Sequence, residues 1–292
     1  MGNVYLACDA KAKLGEGPIW SPTERRLYWL DLTAPAIWRF DPASGRNEPV
    51  AADLDGYIGG MVARASGGFV LVDHRGLHNL DPATGRVERL GALAPNRPDT
   101  LFNDAKCDRM GALWTGTKHD GERDPVGGLY RFKVDSSSDV IDQGIICANG
   151  PAFSPDGSIA YFADSSARRI YRYEIDTQAD RIGPRLNFAA TEPADGEPDG
   201  MTVDAEGCLW VALWGGWRVR CYAPDGRIER EIRVPVPQPT SPAFGGADMR
   251  TLFLTSARRG LDAAALSEAP LSGGLFAIET DTSGLIEPRF AG

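Results

Sequence analysis

"IAYFADSSARRIYRYE", residues 159–174, holds two short apolar runs either side of a small polar turn, and its reading decides the fold. The first run stops at an acid, Asp164. In the second, Ile170, Tyr171 and Tyr173 alternate with charged neighbours, the pattern of a pleated, half-buried strand. Working outward, the first run recurs six times: "RLYWLD" ending at Asp31, "GFVLVD" at Asp73, "ALWTGT" at Thr117, "IAYFAD" at Asp164, "CLWVAL" at Leu213 and "TLFLTS" at Ser256. The endpoints are 42, 44, 47, 49 and 43 residues apart.

A second strand-like run follows each first one: "IWRFD", "LHNLD", "LYRFK", "IYRYE", "VRCYA" and "LFAIE". Turn signals stand where hairpins need them. "DPASGR", "DPATGR" and "APDGR" follow the second run in repeats one, two and five. "DRMG", "SPDGS" and "DAEG" precede the first run in repeats three, four and five. A period of 40 to 50 residues with several strands per unit indicates an all-β, six-bladed β-propeller with four-stranded antiparallel blades around a central channel. Six units fill residues 1–292 as a single domain, and "VYLACD" near residue 4 is the strand expected to complete the last blade.

The bulk properties exclude other classes. With 42% hydrophobic and 24% charged residues and a net charge of -9, the chain has globular composition and no basic surface for nucleic acid or anionic membranes. The five cysteines form no CxxC pair and read as buried free thiols. No signal peptide and no run of 18 apolar residues is seen, so a cytoplasmic protein is expected.

Just before each first run lies an inner segment: "LGEGPIW", "YIGGMVA", "LFNDAKC", "CANGPAF", "EPDGMTV" and "TSPAFGG". One residue of each is taken to face the axis at an equivalent position: Glu16, Gly60, Asn103, Asn149, Asp199 and Pro242. "NG" or "DG" alone reads as a turn. Two carboxylates and two carboxamides in one phase read as a site. Such oxygen donors suit a hard or borderline divalent cation, which also removes the repulsion between the acids.

These motifs resemble the gluconolactonase, regucalcin (senescence marker protein) and sugar-lactonase family over nearly the whole chain. The matching stretches are "LGEGPIW", "FNDAKCD", "NGPAFSPDG", "PDGMTVDAEGCLWVALW" and "TSARRGLDAAALSEAPLSGGLFAI". "GTKHDGERDPVGGLYRF" and "ALWGGW" are most similar to bacterial pentonolactonases of the xylonolactonase and arabinolactonase kind. The resemblance implies one divalent metal ion (Ca2+, Mg2+, Mn2+, Zn2+ or Fe2+) held by Glu16, Asn149 and Asp199, with Asn103 near the substrate and metal-bound water. It departs at Leu101, where regucalcin-like members carry a substrate-binding arginine. Arg97 is the nearby basic candidate for that place, His119 and Asp120 are candidate hydroxyl binders, and Trp214, with Trp217, a surface for a sugar ring.

The expected activity is hydrolysis of a pentono- or hexono-lactone by a monomer: the metal polarises the carbonyl and Asp199 acts as general base on water. No GxSxG nucleophile motif occurs, and His74 and His78 read as structural. The competing expectations are a calcium-binding propeller without turnover, a phosphotriesterase or arylesterase, and a protein-interaction propeller.

Overall fold

The computed structural model describes residues 3–54, 56–74, 76–91, 97, 99–135 and 137–292. Its strands fall into six antiparallel sheets, the blades of a six-bladed β-propeller. The blades span residues 15–50, 58–91, 100–145, 148–190, 197–233 and 239–279. Within each, burial falls from the first strand to the last. In blade one Gly15–Ser21 is largely buried, whereas Arg46–Val50 is exposed or half-buried. The only helices among the described residues are a short α-helix, Ala263–Glu268, and a 3-10 turn, Pro193–Asp195.

Two compact units divide the blades. One holds blades one, five and six. Here Val4–Cys8 pairs with Leu275–Glu279, so the N-terminal segment is the fourth strand of blade six, as the repeat count requires. Trp20, Leu27, Trp29, Phe40 and Phe253 pack blade one on blade six, with Trp20 stacked on Phe253 at 5.9 Å. The other unit holds blades two, three and four together with residues from Glu287 onward. Its C-terminal Phe290 exchanges backbone hydrogen bonds with Ala63 and Ala65 and joins the core of Val62, Val70, Phe102 and Tyr130.

Blade four departs from the four-stranded expectation. Its third strand, Arg169–Asp176, is long enough to pair with Leu186–Ala190 along one half and with the two-residue strand Arg181–Ile182 beyond it. All five cysteines are free; Cys107, Cys147 and Cys221 are buried, but Cys8 and Cys208 are only half-buried. No helix among the described residues is long and apolar enough to cross a membrane.

The acids that end the first runs have a structural use. Asp31 accepts the backbone N–H groups of Lys13, Leu14 and Ala34, and Asp164 those of Ile146, Cys147 and Ala167. Each ties the loop entering its blade to the turn leaving the second strand. Asp73 accepts from Gly76 N–H and meets His78 Nε2 at 3.0 Å, which gives that histidine its structural place.

Candidate functional site

Each first strand carries one extra residue against its neighbour. In blade one, Glu16 lies opposite Leu30, and Gly17 and Pro18 share the next position before Ile19 meets Tyr28. In blade four, Asn149 lies opposite Ala163, and Gly150 and Pro151 share the next position. The Gly150–Pro151 bond is cis. Glu16 and Asn149 are therefore register equivalents, each just before the bulge.

The other residues are not strictly in phase with them. Asn103 in blade three and Asp199 in blade five are the first residue of their bulges, one position later. Gly60 closes the bulge of blade two, and Pro242 follows that of blade six. The expectation of a single equivalent position is corrected to this extent. Where two residues oppose one, the strict alternation of faces breaks, so a one-residue offset does not separate the donors by kind. Glu16, Asn103, Asn149 and Asp199 are all less than 9% exposed.

In the unit holding blades two to four, the carboxamides are joined. Tyr57 donates its hydroxyl to Asn103 Oδ1 at 2.5 Å. Asn103 Nδ2 donates to Ala148 O at 2.6 Å and to Asn149 Oδ1 at 2.9 Å. Asn149 Nδ2 donates to Ser165 Oγ at 2.8 Å. The direction of this chain fixes which end of each amide is oxygen. Both N–H groups of Asn103 are committed, so toward a substrate only its oxygen has capacity left, as an acceptor.

Asp104, beside Asn103, was not singled out from sequence. It adopts a left-handed φ of 57° and accepts the N–H groups of Ala105 and Gly150. It thereby ties the bulge of blade three to the residue after Asn149. Burial raises its carboxyl to about 6, against the pull of Lys106 and these two N–H groups.

In the unit holding blades one, five and six, Glu16 Oε2 accepts the Gly17 N–H at 3.1 Å. Gly17 has a left-handed φ of 53°, which an L side chain rarely adopts. After Asp199, a Cβ on Gly200 would stand 2.3 Å from Ser241 Oγ, so glycine is required where blade five packs against blade six.

The candidate substrate residues scatter. Arg97 is exposed and forks onto Asp99 at 3.0 and 2.8 Å. His119 is half-buried, accepts the Arg123 N–H at Nδ1, and lies 3.6 Å from Asp124. Asp120 is exposed, and its backbone N–H is bonded to Asp99 O. Trp214 is half-buried opposite Glu197, and Trp217 is 37% exposed. Lys118, overlooked in sequence, is 4% exposed, with Nζ at 2.8 Å from Glu122 and over the Tyr57 ring. The sequence did carry a signal for it: "ALWTGT" was ended one residue short of the position that Asp31, Asp73 and Asp164 occupy in the ladder.

One group of metal-ligand type lies elsewhere: an oxygen of Asp204 and the sulfurs of Cys208 and Cys221 are mutually within 4.8 Å. Its carboxylate is spoken for. Asp204 accepts from Glu206 N, Cys208 N and Trp210 Nε1, as Asp108 accepts from Met110 N, Ala112 N and Trp114 Nε1 in blade three. Burial raises both thiols above their ordinary range, which disfavours the thiolates a metal needs.

Residues 14–258 match the family described as the SMP-30/gluconolactonase/LRE-like region. The chain is 37% identical to 6-deoxy-6-sulfogluconolactonase of Pseudomonas putida, over 99% of this chain and 100% of that protein. It is 36% identical to L-arabinolactonase of Azospirillum brasilense, over 100% and 96%. A crystal structure described as a calcium-binding protein, regucalcin, from Agrobacterium tumefaciens superposes with a TM-score of 0.93 at 28% identity, covering 100% of this chain and 98% of that one. The family model and the full-length relatives agree with the fold and motifs above: this chain belongs to the SMP-30/gluconolactonase/LRE-like family.

Proposed function

We propose that this protein is a divalent-metal-dependent lactonase that hydrolyses a pentono- or hexono-lactone to the open-chain sugar acid, as a cytoplasmic monomer with no nucleic-acid or membrane partner. The observation that carries this reading is the buried Asn103–Asn149 carboxamide pair in a chain whose full-length relatives are named lactonases. The residues present fit a hard cation. Glu16, Asn149 and Asp199 are all buried oxygen donors, and Asn149 Oδ1, which accepts one N–H, keeps a second lone pair. Bound there, the ion would supply carbonyl polarisation and offset oxyanion charge.

The chain's own groups do the rest. Asp199 takes the proton of the attacking water as general base. The Asn103 oxygen accepts from a substrate hydroxyl. A lactone is an activated ester, so water suffices and no side-chain nucleophile is needed.

A second reading, calcium binding without turnover, is favoured by the structural likeness to a protein described as calcium-binding. Acid release followed at constant pH from a panel of pentono- and hexono-lactones, before and after chelation and with each of Ca2+, Mg2+, Mn2+, Zn2+ and Fe2+ restored, separates the two. Metal-restored lactone opening supports the enzyme; tight Ca2+ binding with no acceleration on any lactone supports the alternative.

A further inference from the structure

Lys118 breaks the blade pattern. In the ladder it occupies the place of Asp31, Asp73 and Asp164, whose carboxylates tie loop N–H groups. An ammonium accepts no hydrogen bond, so blade three gives up that tie. It also buries a charge, which is costly unless something uses it.

Three placements say what uses it. Lys118 lies directly opposite Leu101, the position at which the resembling family carries a substrate-binding arginine, and residues paired across a ladder project from the same face. Its Nζ is 5.7 Å from the centre of the Tyr57 ring, whose hydroxyl bonds Asn103. Among the described residues its ammonium has one carboxylate acceptor, Glu122, which leaves N–H donors for a ligand. Arg97, the basic residue expected to stand in for the arginine, is bound to Asp99 at the surface instead.

Resting on the lactonase reading, we infer that Lys118 and Glu122 form the substrate's hydroxyl-binding subsite, and that the substrate is an uncharged polyhydroxylated lactone. An ammonium beside a carboxylate offers a donor and an acceptor with no net charge. That arrangement matches vicinal hydroxyls. The same loop carries Asp120 and Asp124, which disfavour an anionic substituent. Glu122 is half-buried, so the pair runs from the interior outward.

The test compares the metal-loaded wild-type protein with Lys118→Met and Glu122→Gln on an uncharged lactone, its single-deoxy analogues, and a lactone bearing a sulfonate. Circular dichroism and thermal melts establish that each variant is folded. Lys118→Met should lower kcat/KM on the uncharged lactone about 30-fold, chiefly through KM, the scale of one charge-assisted hydrogen bond. On one deoxy analogue the wild type should already be impaired and the substitution should cost little more. Glu122→Gln should weaken the same lactone and spare the same analogue. An equal loss on every analogue, or no loss in either variant, overturns the subsite while leaving lactonase activity standing. Wild-type preference for the sulfonated lactone, lost on Lys118→Met, overturns the uncharged substrate. A wild type inactive on every lactone overturns both this inference and the function it rests on.

Discussion

Asn103 donates its side-chain N–H to the side-chain oxygen of Asn149 over 2.9 Å, joining the first residue of one blade's bulge to the residue just before the next blade's. This bond and the donation from Asn149 Nδ2 to Ser165 Oγ hold the Asn149 carboxamide from both ends. A neutral oxygen oriented this way serves a cation without reorganising when the ion arrives. Hydrogen bonds behind a ligand commonly matter almost as much as the ligand itself.

Ser165→Ala should therefore weaken divalent-metal affinity about 10-fold, by freeing the Asn149 amide to turn, although Ser165 is not a donor to the ion. Asn149→Ala should weaken it more. Calorimetric titration of the chelated protein measures both; an unaltered Kd in Ser165→Ala would show that the Asn149 amide is held well enough without it.

Asp199 and Glu16 are both buried acids, yet the proposed chemistry asks different things of them. Asp199→Asn keeps an oxygen donor but loses the base, so turnover should fall about 10²- to 10⁴-fold while metal affinity falls less than in Glu16→Ala. Steady-state rates at saturating metal, paired with titrations, read the two effects apart. Parent-like turnover in Asp199→Asn would remove the base assignment.

Much of this was legible in sequence because propeller blades repeat. The run ending at Asp164 sits two-to-one against its turn chemistry in every blade, and "VYLACD" pairs where six repeats need a closing strand. The register was not legible. Counting separations from Glu16 to Asn149 and Asp199 cannot see a bulge, which adds a residue without adding a rung. For the same reason the third repeat was ended at Thr117, which hid Lys118. Arg97 was chosen by nearness in sequence, but Asp99, two residues on, satisfies it more cheaply than a buried site would. The extra strand Arg181–Ile182 is too short to carry a strand pattern.

Asp104 should leave a pH signature in stability. Its folded carboxyl is raised to about 6 from 3.8, mainly by burial, so the native chain holds that proton more tightly than the unfolded chain. The stabilising contribution is present below about 4, declines as pH rises toward 6, and is gone above it. Asn at this position does not titrate. The melting temperature of the parent minus that of Asp104→Asn should thus fall between pH 4 and 6.5 and then level off. A difference that stays constant over that range would mean Asp104 titrates normally.

Asp108 and Asp204 hold equivalent tryptophans, Trp114 and Trp210, but their third partners differ. Arg131 lies opposite Trp114 on the ladder and donates from Nε to Asp108 at 2.8 Å. Cys221 lies opposite Trp210. Removing Asp108 leaves two backbone N–H groups and an indole N–H without their acceptor, and strips one of its carboxylates from an arginine only 2% exposed. Removing Asp204 leaves the same three donors and no buried charge beside Cys221. Asp108→Ala should therefore cost about 3–5 kcal/mol, as when a buried ion pair is broken. Asp204→Ala should cost about 1–3 kcal/mol, the penalty for buried donors left unmet. Arg131→Met in the Asp108→Ala background should recover part of the difference by removing the orphaned charge. Urea midpoints of the three variants measure this order. Equal losses for the two aspartates, or no recovery in the double variant, would show that Asp180, the second carboxylate on Arg131, carries that charge unaided.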